Sequence, residues 1–331
     1  MSLSVGIVGL PNVGKSTLFN ALLKRQQAYV ANFPFATIEP NVGVVPVPDN
    51  RLARLSQVVK ESEGLSFFPP EVPAIVEFID IAGLIAGAHK GEGLGNKFLA
   101  HIREVDAICH VVRAFSDPEI IKQGVISPKS DFETVKTELD LADLDMTERR
   151  KEKKKKVVEE LPLLSKKPIL VVLNVDEKDL KEANKRELKF AAEIGVNSSQ
   201  VVAISAQIES ELSNLDEGDQ KAYLEDLGIK ESGLERLIKK AFKTLGLITF
   251  LTAGEKEVRA WTIRLGSTSL MASGTIHTDF VKNFIKADVV DYEDFVGFGG
   301  WKLCRDKGKV RSEGKDYIVN DGDVIEFKVS I

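Results

Sequence analysis

The chain has 331 residues, enough for about two domains, and its content of 43% hydrophobic and 29% charged residues is ordinary for a globular protein. Its formal net charge of -5 excludes a general nucleic-acid coat protein, so any RNA contact would need a local basic patch. Two distant cysteines, Cys109 and Cys304, exclude a disulfide framework and a zinc set. Because the first residues lack a signal-peptide pattern and no apolar run is long enough for a membrane span, we expect a cytoplasmic protein without membrane contact.

Short apolar runs alternate with longer amphipathic stretches as far as residue 245. The predicted strands span residues 4–10, 75–81, 107–112, 169–173 and 201–204. The predicted helices between them span residues 15–24, 96–104, 180–194 and 234–245. Because this alternation places strands side by side with helices on both faces, it predicts an α/β fold with a mostly parallel sheet.

Two segments depart from this alternation. Residues 131–167 are helical and highly charged, and they form either a solvated helix face or a contact surface for RNA or a partner protein. The segment from residue 249 onwards is rich in short β runs. Its predicted strands span 258–265, 287–290, 316–319 and 324–329, and its predicted helix spans 278–285. We therefore expect a first domain at residues 1–246, which includes the helical insertion, and a small α+β domain at residues 247–331.

The strongest motif follows the first predicted strand. Residues 9–17 match G-x-x-x-x-G-K-[ST] in full, with a helix expected directly after them. Glycines let the backbone curl so that N–H groups point at phosphate oxygens, and the helix N-terminus adds positive partial charge. We expect Lys15 to reach the β- and γ-phosphates, Ser16 to bind Mg²⁺, and Thr17 to lie near the α-phosphate. The remaining predicted phosphate-site residues are Asn12, Val13 and Gly14.

A second motif lies about 65 residues further on, at the end of a predicted strand. In this D-x-x-G sequence, Asp80 can hold Mg²⁺ through a water molecule and the Gly83 N–H can sense the γ-phosphate. Thr37, between the two motifs, is expected to close over Mg²⁺ and the γ-phosphate. The candidate catalytic residues are thus Lys15, Thr37, Asp80 and Gly83, in a switch whose loops order with nucleotide.

A third motif follows the fourth predicted strand, where GTP-specific switches carry N-K-x-D and their Asp accepts two hydrogen bonds from guanine. The corresponding residues here are Asn174, Val175, Asp176 and Glu177. The longer Glu177 weakens guanine recognition and leaves Asn174 to bond the base edge. A one-residue shift in register would instead bring Asp176 to guanine, and this alternative stays open. Ser205-Ala206, after the next strand, fits the last base-contacting loop, although a plain polar strand end has the same pattern.

Together these motifs resemble the Obg-like ATPase family, and within it the YchF subfamily of translation-factor-class NTPases. The matching residues are 9–16, 32–41, 80–84, 91–96, 254–262 and 314–323. The resemblance covers nearly the whole chain. It implies a P-loop NTPase domain of the Ras-like GTPase fold with a helical coiled-coil insertion, followed by a C-terminal β-grasp domain of the TGS type. Only residues 131–167 are available for the insertion, so we expect a shortened coiled coil.

The resemblance also implies a function. Family members prefer ATP to GTP through an N-x-x-E base motif, which Asn174 and Glu177 match, and they associate with the ribosome, for which we expect the large subunit. Leu84 stands where many GTPases carry a water-positioning Gln, which implies slow hydrolysis. Asn12 matches a P-loop Asn that binds potassium in related NTPases, so K⁺ is a candidate cofactor beside Mg²⁺.

Three functional hypotheses are compatible with these residues. The leading one is an ATP-hydrolysing switch that engages the ribosome or RNA. The second is a GTPase in which Asp176 reads guanine, and the third is a nucleotide-gated ribosome-binding module whose hydrolysis is incidental. RNA would contact the C-terminal domain at residues 305–315, which hold five basic and two acidic residues, with Trp301 and Tyr317 as stacking aromatics. A solvated loop is the alternative interpretation of that stretch.

Overall fold

The computed structural model describes residues 3–32, 41–81, 94–116, 127–152 and 163–330. The chain divides into two compact units that do not follow chain order. The first unit comprises Met1–Val45 and Val76–Leu245, and the second comprises Pro46–Ile75 and Gly246–Ile331. A segment of the N-terminal half therefore belongs to the C-terminal unit, which a single boundary between residues 246 and 247 does not capture.

The described strands fall into two sheets. In chain order they are β1 (Ser4–Val8), β2 (Val42–Pro46), β3 (Glu71–Val72), β4 (Ile75–Asp80), β5 (Ala107–Arg113), β6 (Ile169–Asn174), β7 (Val201–Ile204), β8 (Leu247–Ala253), β9 (Val258–Arg264), β10 (Phe284–Val290), β11 (Arg311–Glu313) and β12 (Val324–Val329). One sheet has the order β2-β4-β1-β5-β6-β7 and the other the order β11-β10-β12-β8-β9-β3.

The described helices alternate with these strands. They are α1 (Lys15–Asn32), α2 (Arg51–Ser62), α3 (Leu94–Glu104), α4 (Pro128–Glu152), α5 (Ala183–Ile194), α6 (Ala206–Leu212), α7 (Glu217–Asp226), α8 (Gly233–Thr244), α9 (Ser269–Ile276), α10 (Thr278–Asn283), α11 (Tyr292–Phe298) and α12 (Trp301–Asp306). Short 3-10 helices lie at Leu164–Lys166, Glu177–Glu182 and Ser198–Gln200. No helix in the described part of the chain is long and apolar enough to cross a membrane.

The sheet of the first unit confirms the predicted mostly parallel α/β fold. β1 pairs in parallel with β4 and β5, and β5–β6 and β6–β7 are parallel as well. Every residue of β1 and β7 is buried, as expected for strands covered by helices on both faces. Because parallel strands end at the same edge, the loops after β1, β5, β6 and β7 meet there, which is where ligands bind in such sheets.

The helical insertion packs against the core of the first unit along one face. Phe132, Val135, Leu139 and Ala142 of α4 are buried and recur at helical spacing, so this part of α4 is not solvated all round. The Asp143 carboxylate accepts hydrogen bonds from the backbone N–H groups of Leu164 (2.9 Å) and Ser165 (2.8 Å) and fixes the return of the chain. Residues 153–162, which include the predicted lysine run, lie outside the described residues.

The second unit has a mixed sheet. β8–β9, β10–β11 and β10–β12 are antiparallel, whereas β12–β8 and β3–β9 are parallel. The segment 46–75 joins this unit through β3, and through the buried side chains Leu52, Leu55, Val58 and Val59 of α2. Arg51 ties it further, because its guanidinium donates to Asp49 (2.7 and 2.8 Å), Thr249 (2.7 Å) and Asp321 (3.1 Å).

Two predicted elements of the C-terminal unit are wrong in detail. The helix predicted at 278–285 ends at Asn283, and β10 begins at Phe284, whose ring lies 6.1 Å from that of Phe327 on β12. The strand predicted at 316–319 is replaced by a turn with one isolated bridge from Ile318 to Thr268. A buried carboxylate holds this turn: Asp323 accepts from Tyr317 Oη (2.8 Å) and from the backbone N–H of Asn320 (2.9 Å).

Candidate nucleotide site

A cavity of about 530 Å³ opens in the first unit where the loops after β1, β5, β6 and β7 meet. Its lining residues are Asn12, Gly14, Lys15, Ser16, Thr17, Phe115, Ser116, Asn174, Val175, Asp176, Glu177, Ser205, Ala206 and Gln207. All the predicted nucleotide-binding residues except Val13 line it, and Val13 is buried behind the loop with 2% of its surface exposed. Of the candidate catalytic residues, Thr37 and Gly83 lie outside the described residues, as does Leu84.

The phosphate loop at one end of the cavity requires its glycines. Gly14 has φ +95°, and a Cβ there would overlap the Nδ2 atom of Asn174. A Cβ on Gly9 would overlap the carbonyl oxygen of Val111 on β5. Both positions therefore permit only glycine, because the loop curls tightly against the ends of β5 and β6.

Lys15 lies in the fold of this loop. Its Nζ donates to the carbonyl oxygens of Gly9 (2.9 Å) and Leu10 (2.8 Å). Burial lowers the pKa of Lys15, and the nearby Asp80 carboxylate opposes this shift. Burial likewise raises the pKa of Asp80, against the opposing effect of Lys15. The two charges thus stabilise each other at the end of the site where phosphate charge would be placed.

The residues predicted to hold Mg²⁺ carry suitable donor atoms. Ser16 lies exposed in the first turn of α1, and Asp80 ends β4 directly beside Ile7 of β1, two residues before the phosphate loop. A hydroxyl and a carboxylate oxygen are hard ligands of the kind that Mg²⁺ takes, usually with few protein groups and with phosphate oxygens. Among the residues that the structure describes, no group of three or more His, Cys, Asp or Glu side chains is arranged so that it could hold a metal ion.

Asn174 connects the two ends of the cavity. Its side chain, 5% exposed, donates from Nδ2 to the carbonyl oxygen of Val13 (2.9 Å), and its Oδ1 accepts from the backbone N–H of Ala206 (2.9 Å). A second Nδ2 hydrogen is left to bond a ligand. The phosphate loop, the end of β6 and the start of α6 are therefore joined through one amide group.

The remaining base-end residues differ in exposure. Glu177 is exposed as the first residue of a 3-10 helix, whereas Val175 is 1% and Ser205 4% exposed. Both of these buried residues contribute mainly backbone to the wall of the cavity. Sequence reasoning missed Phe115, Ser116 and Gln207. The signal that could have found Phe115 and Ser116 is their place just past the end of the strand next to β6 in the sheet.

Asp176 lines the cavity, but both oxygens of its carboxylate are engaged by Ser116. Its carboxylate accepts from Ser116 Oγ (2.9 Å) and from the Ser116 backbone N–H (3.2 Å to Oδ2 and 3.3 Å to Oδ1). The exposed Lys178 ammonium lies 3.8 Å away. The residue that a shifted register would bring to guanine is thus engaged with the end of β5.

Comparison with known protein families gives two matches. Residues 4–175 match the family described as "50S ribosome-binding GTPase", and residues 247–330 match the YchF-GTPase C-terminal family, described as "Protein of unknown function (DUF933)". The second match begins at the first residue of β8. The two families together cover both ends of the chain.

Full-length relatives agree with these families. The chain is 44% identical to the "Ribosome-binding ATPase YchF" of Bacillus subtilis and 46% identical to that of Haemophilus influenzae, each over 100% of both sequences. A solved structure, that of the Schizosaccharomyces pombe YchF GTPase, matches with a TM-score of 0.84 and 33% identity over 99% of this chain and 98% of that one. The Bacillus alignment spans 374 positions, so that relative carries residues that the 331 residues here lack.

Proposed function

We propose that this chain, which belongs to the YchF family of P-loop NTPases, is a Mg²⁺-dependent cytoplasmic switch that hydrolyses ATP in preference to GTP and associates with the ribosome. The observation that carries the proposal is a single cavity lined both by Lys15 of the phosphate loop and by Asn174 at the end of β6. Relatives of 44–46% identity bear the name ribosome-binding ATPase, which supports the choice of ATP and the partner.

The chain's own residues divide the work of binding and hydrolysis. Lys15 exchanges its bonds with the Gly9 and Leu10 carbonyl oxygens for bonds with β- and γ-phosphate oxygens. Ser16 and Asp80, with Thr37, would hold Mg²⁺, which would neutralise charge on the phosphates. Gly83 donates to the γ-phosphate, so that its loop responds to hydrolysis. Leu84 has no group that can orient water, and turnover is therefore slow.

At the base end, Asn174 bonds the edge of adenine with its remaining Nδ2 hydrogen, and Glu177 replaces the carboxylate that GTP-specific proteins place against guanine. Val175, Ser205 and Ala206 form the wall along the base. Asn12, at φ +61° in the phosphate loop, is the proposed ligand of K⁺. Replacing K⁺ by Na⁺ in the assay tests that role, and equal turnover in the two salts would remove it.

The ribosome contact is proposed to lie on the large subunit, with RNA bound through the C-terminal, TGS-type unit. Three basic side chains of 305–315 are already paired there: Arg305 with Glu326 (2.8 Å), Lys309 with Asp294 (3.2 Å) and Arg311 with Asp291 (3.0 Å). Tyr317 is also engaged, through its bond to Asp323. An RNA contact therefore rests on the exposed Lys307 and Lys315, and Lys307→Glu with Lys315→Glu should weaken ribosome binding.

GTP hydrolysis is the second candidate function, because the matching family and the S. pombe structure are both described as GTPases. The deciding experiment is calorimetric titration of the nucleotide-free protein with ATP·Mg²⁺ and GTP·Mg²⁺. We expect ATP to bind at least tenfold more tightly, a difference of about 1.4 kcal/mol. Equal or tighter binding of GTP would establish a GTPase instead.

Ribosome co-sedimentation with a non-hydrolysable ATP analogue tests the switch. Binding that depends on the analogue supports a nucleotide gate. If pelleting is equal with and without nucleotide, the protein is not gated by it, whatever its hydrolysis rate.

A further inference from the structure

The contact between Ser116 and Asp176 has no part in the function proposed so far. It joins residues 60 positions apart, at the ends of the neighbouring strands β5 and β6. Both residues line the cavity beside Asn174. Because the contact lies at the base end of the cavity, we expect it to affect which base the protein binds.

We propose that Ser116 and Asp176 form a specificity latch, in which Ser116 holds the Asp176 carboxylate away from the base and so selects against guanine. This inference rests on the proposed function, since it assumes a nucleotide whose base lies at the Asn174 end. In this proposal the position of the Asp176 carboxylate determines the base specificity. Ser116 is a positioning residue, because it holds that carboxylate in place.

The geometry of the carboxylate supports the latch. Guanine is read by a carboxylate that turns both oxygens towards two neighbouring N–H groups of the base. In Asp176 both oxygens already face Ser116: Oδ1 accepts from its backbone N–H, and Oδ2 accepts from the same N–H and from Oγ. The two carboxylate oxygens that would accept hydrogen bonds from guanine are therefore directed towards the end of β5.

In the described part of the chain, few contacts other than those with Ser116 set this orientation. Asp176 precedes a 3-10 helix but makes no side-chain capping bond to it. The Lys178 ammonium lies 3.8 Å from the Asp176 carboxylate, but the Lys178 side chain is 75% exposed, so solvent screens this attraction. The Ser116 hydroxyl makes the shortest of the three hydrogen bonds, and its removal frees Oδ2 more than any other single change.

The latch predicts a gain of function, which a merely structural role would not give. We would measure the dissociation constants of ATP·Mg²⁺ and GTP·Mg²⁺ for the wild type, Ser116→Ala, Asp176→Ala and the double variant. Ser116→Ala should raise the affinity for GTP relative to ATP by about 3- to 10-fold, since one charge-assisted hydrogen bond no longer restrains Asp176. Asp176→Ala and the double variant should show no such gain, because neither retains the carboxylate.

Matched variants separate the latch from a general effect on the fold. Ser199→Ala removes a hydroxyl that bonds Asn197 (2.8 Å) outside the cavity, and it should leave the ratio unchanged. Ser116→Thr keeps a hydroxyl and should keep the wild-type ratio. If Ser116→Ala proves unstable, Ser116→Gly removes the same hydroxyl and serves in its place.

Two results would overturn the latch. One is an unchanged ATP-to-GTP ratio in Ser116→Ala, and the other is an equal loss of both affinities, which would make Ser116 only a support for the end of β5. Failure of the proposed function is seen separately, in the wild type alone, if that protein binds neither nucleotide or prefers GTP.

Discussion

The described residues that line the phosphate end of the cavity come from one continuous stretch, 9–17, whereas those at the base end come from the ends of β5, β6 and β7. At the phosphate end, Lys15 bonds carbonyl oxygens only five and six residues away. At the base end, Asn174 bonds Val13 and Ala206, which are 161 and 32 residues away. A local loop supplies the lining groups for the phosphates, to which β4 adds the Asp80 carboxylate near Lys15, but the groups that distinguish the bases are brought together by the strand order of the sheet.

Removing the phosphate-binding charge should have the largest effect. Lys15→Ala should weaken the binding of ATP and of GTP by about 1000-fold, or about 4 kcal/mol, because a half-buried ammonium to phosphate bond is lost. Calorimetry measures both affinities, and Lys24→Ala on the same helix is the control. Unequal losses for the two nucleotides would contradict a phosphate end that is indifferent to the base.

The next largest effect should come from substitution of Gly14, where the phosphate loop meets Asn174. In Gly14→Ala the new Cβ overlaps Asn174 Nδ2 and the residue is strained at φ +95°, so we expect a loss of about 3 kcal/mol of unfolding free energy. Gly195→Ala is the control for backbone strain alone, because Gly195 has φ +73° and no atom lies within 4 Å of the new Cβ. It should lower the unfolding free energy by about 1 kcal/mol. Urea denaturation of both variants compares them, and equal losses would show that the overlap with Asn174 is harmless.

Breaking the amide link itself should cost somewhat less. Asn174→Ala leaves a buried N–H of Ala206 and the Val13 carbonyl oxygen without their partner, at about 2 kcal/mol of unfolding free energy. It should also weaken nucleotide binding, because the loop of Val13 loses its tie to β6. Asn214→Ala, at an exposed amide, is the control and should change stability little. A fully stable variant would mean that the two ends are held together without Asn174.

The smallest effect concerns a carboxyl group behind the base end. Glu209 lies in the first turn of α6, is 5% exposed and accepts a hydrogen bond from the Gly233 N–H (2.6 Å). Burial raises the pKa of Glu209 from 4.5 to about 7. Since the folded protein then keeps a proton that the unfolded chain releases, this group's contribution to stability falls as pH rises through that window.

The unfolding free energy of Glu209→Gln should therefore vary less with pH than that of the wild type. Between pH 5 and 8 the wild type should lose about 2 kcal/mol of unfolding free energy that Glu209→Gln retains. Urea denaturation at four pH values measures this, with Glu211→Gln as an exposed control on the same helix. Parallel curves for wild type and Glu209→Gln would show that the carboxyl titrates normally.

The difference between the phosphate end and the base end of the cavity also explains which residues could be predicted from the sequence. Residues 9–17 form a local motif with a required strand before it and helix after it, so both the fold of the first unit and the phosphate residues could be named. The contact of Ser116 with Asp176 could not, because it depends on which strand lies beside β6. The same limit applies to the segment 46–75, since β3 pairs with β9 nearly two hundred residues later in the chain.

The membership of residues 46–75 in the C-terminal unit has a consequence for synthesis. This segment leaves the translating ribosome before any other part of its unit, and its partners begin at Gly246. At about 5–20 residues per second, the apolar face of α2 waits roughly ten to forty seconds for the strands that cover it. During that interval the nascent chain carries exposed Leu52, Leu55, Val58 and Val59. A fragment that begins at residue 247 has the opposite defect, since it lacks the helix that those strands are built to cover.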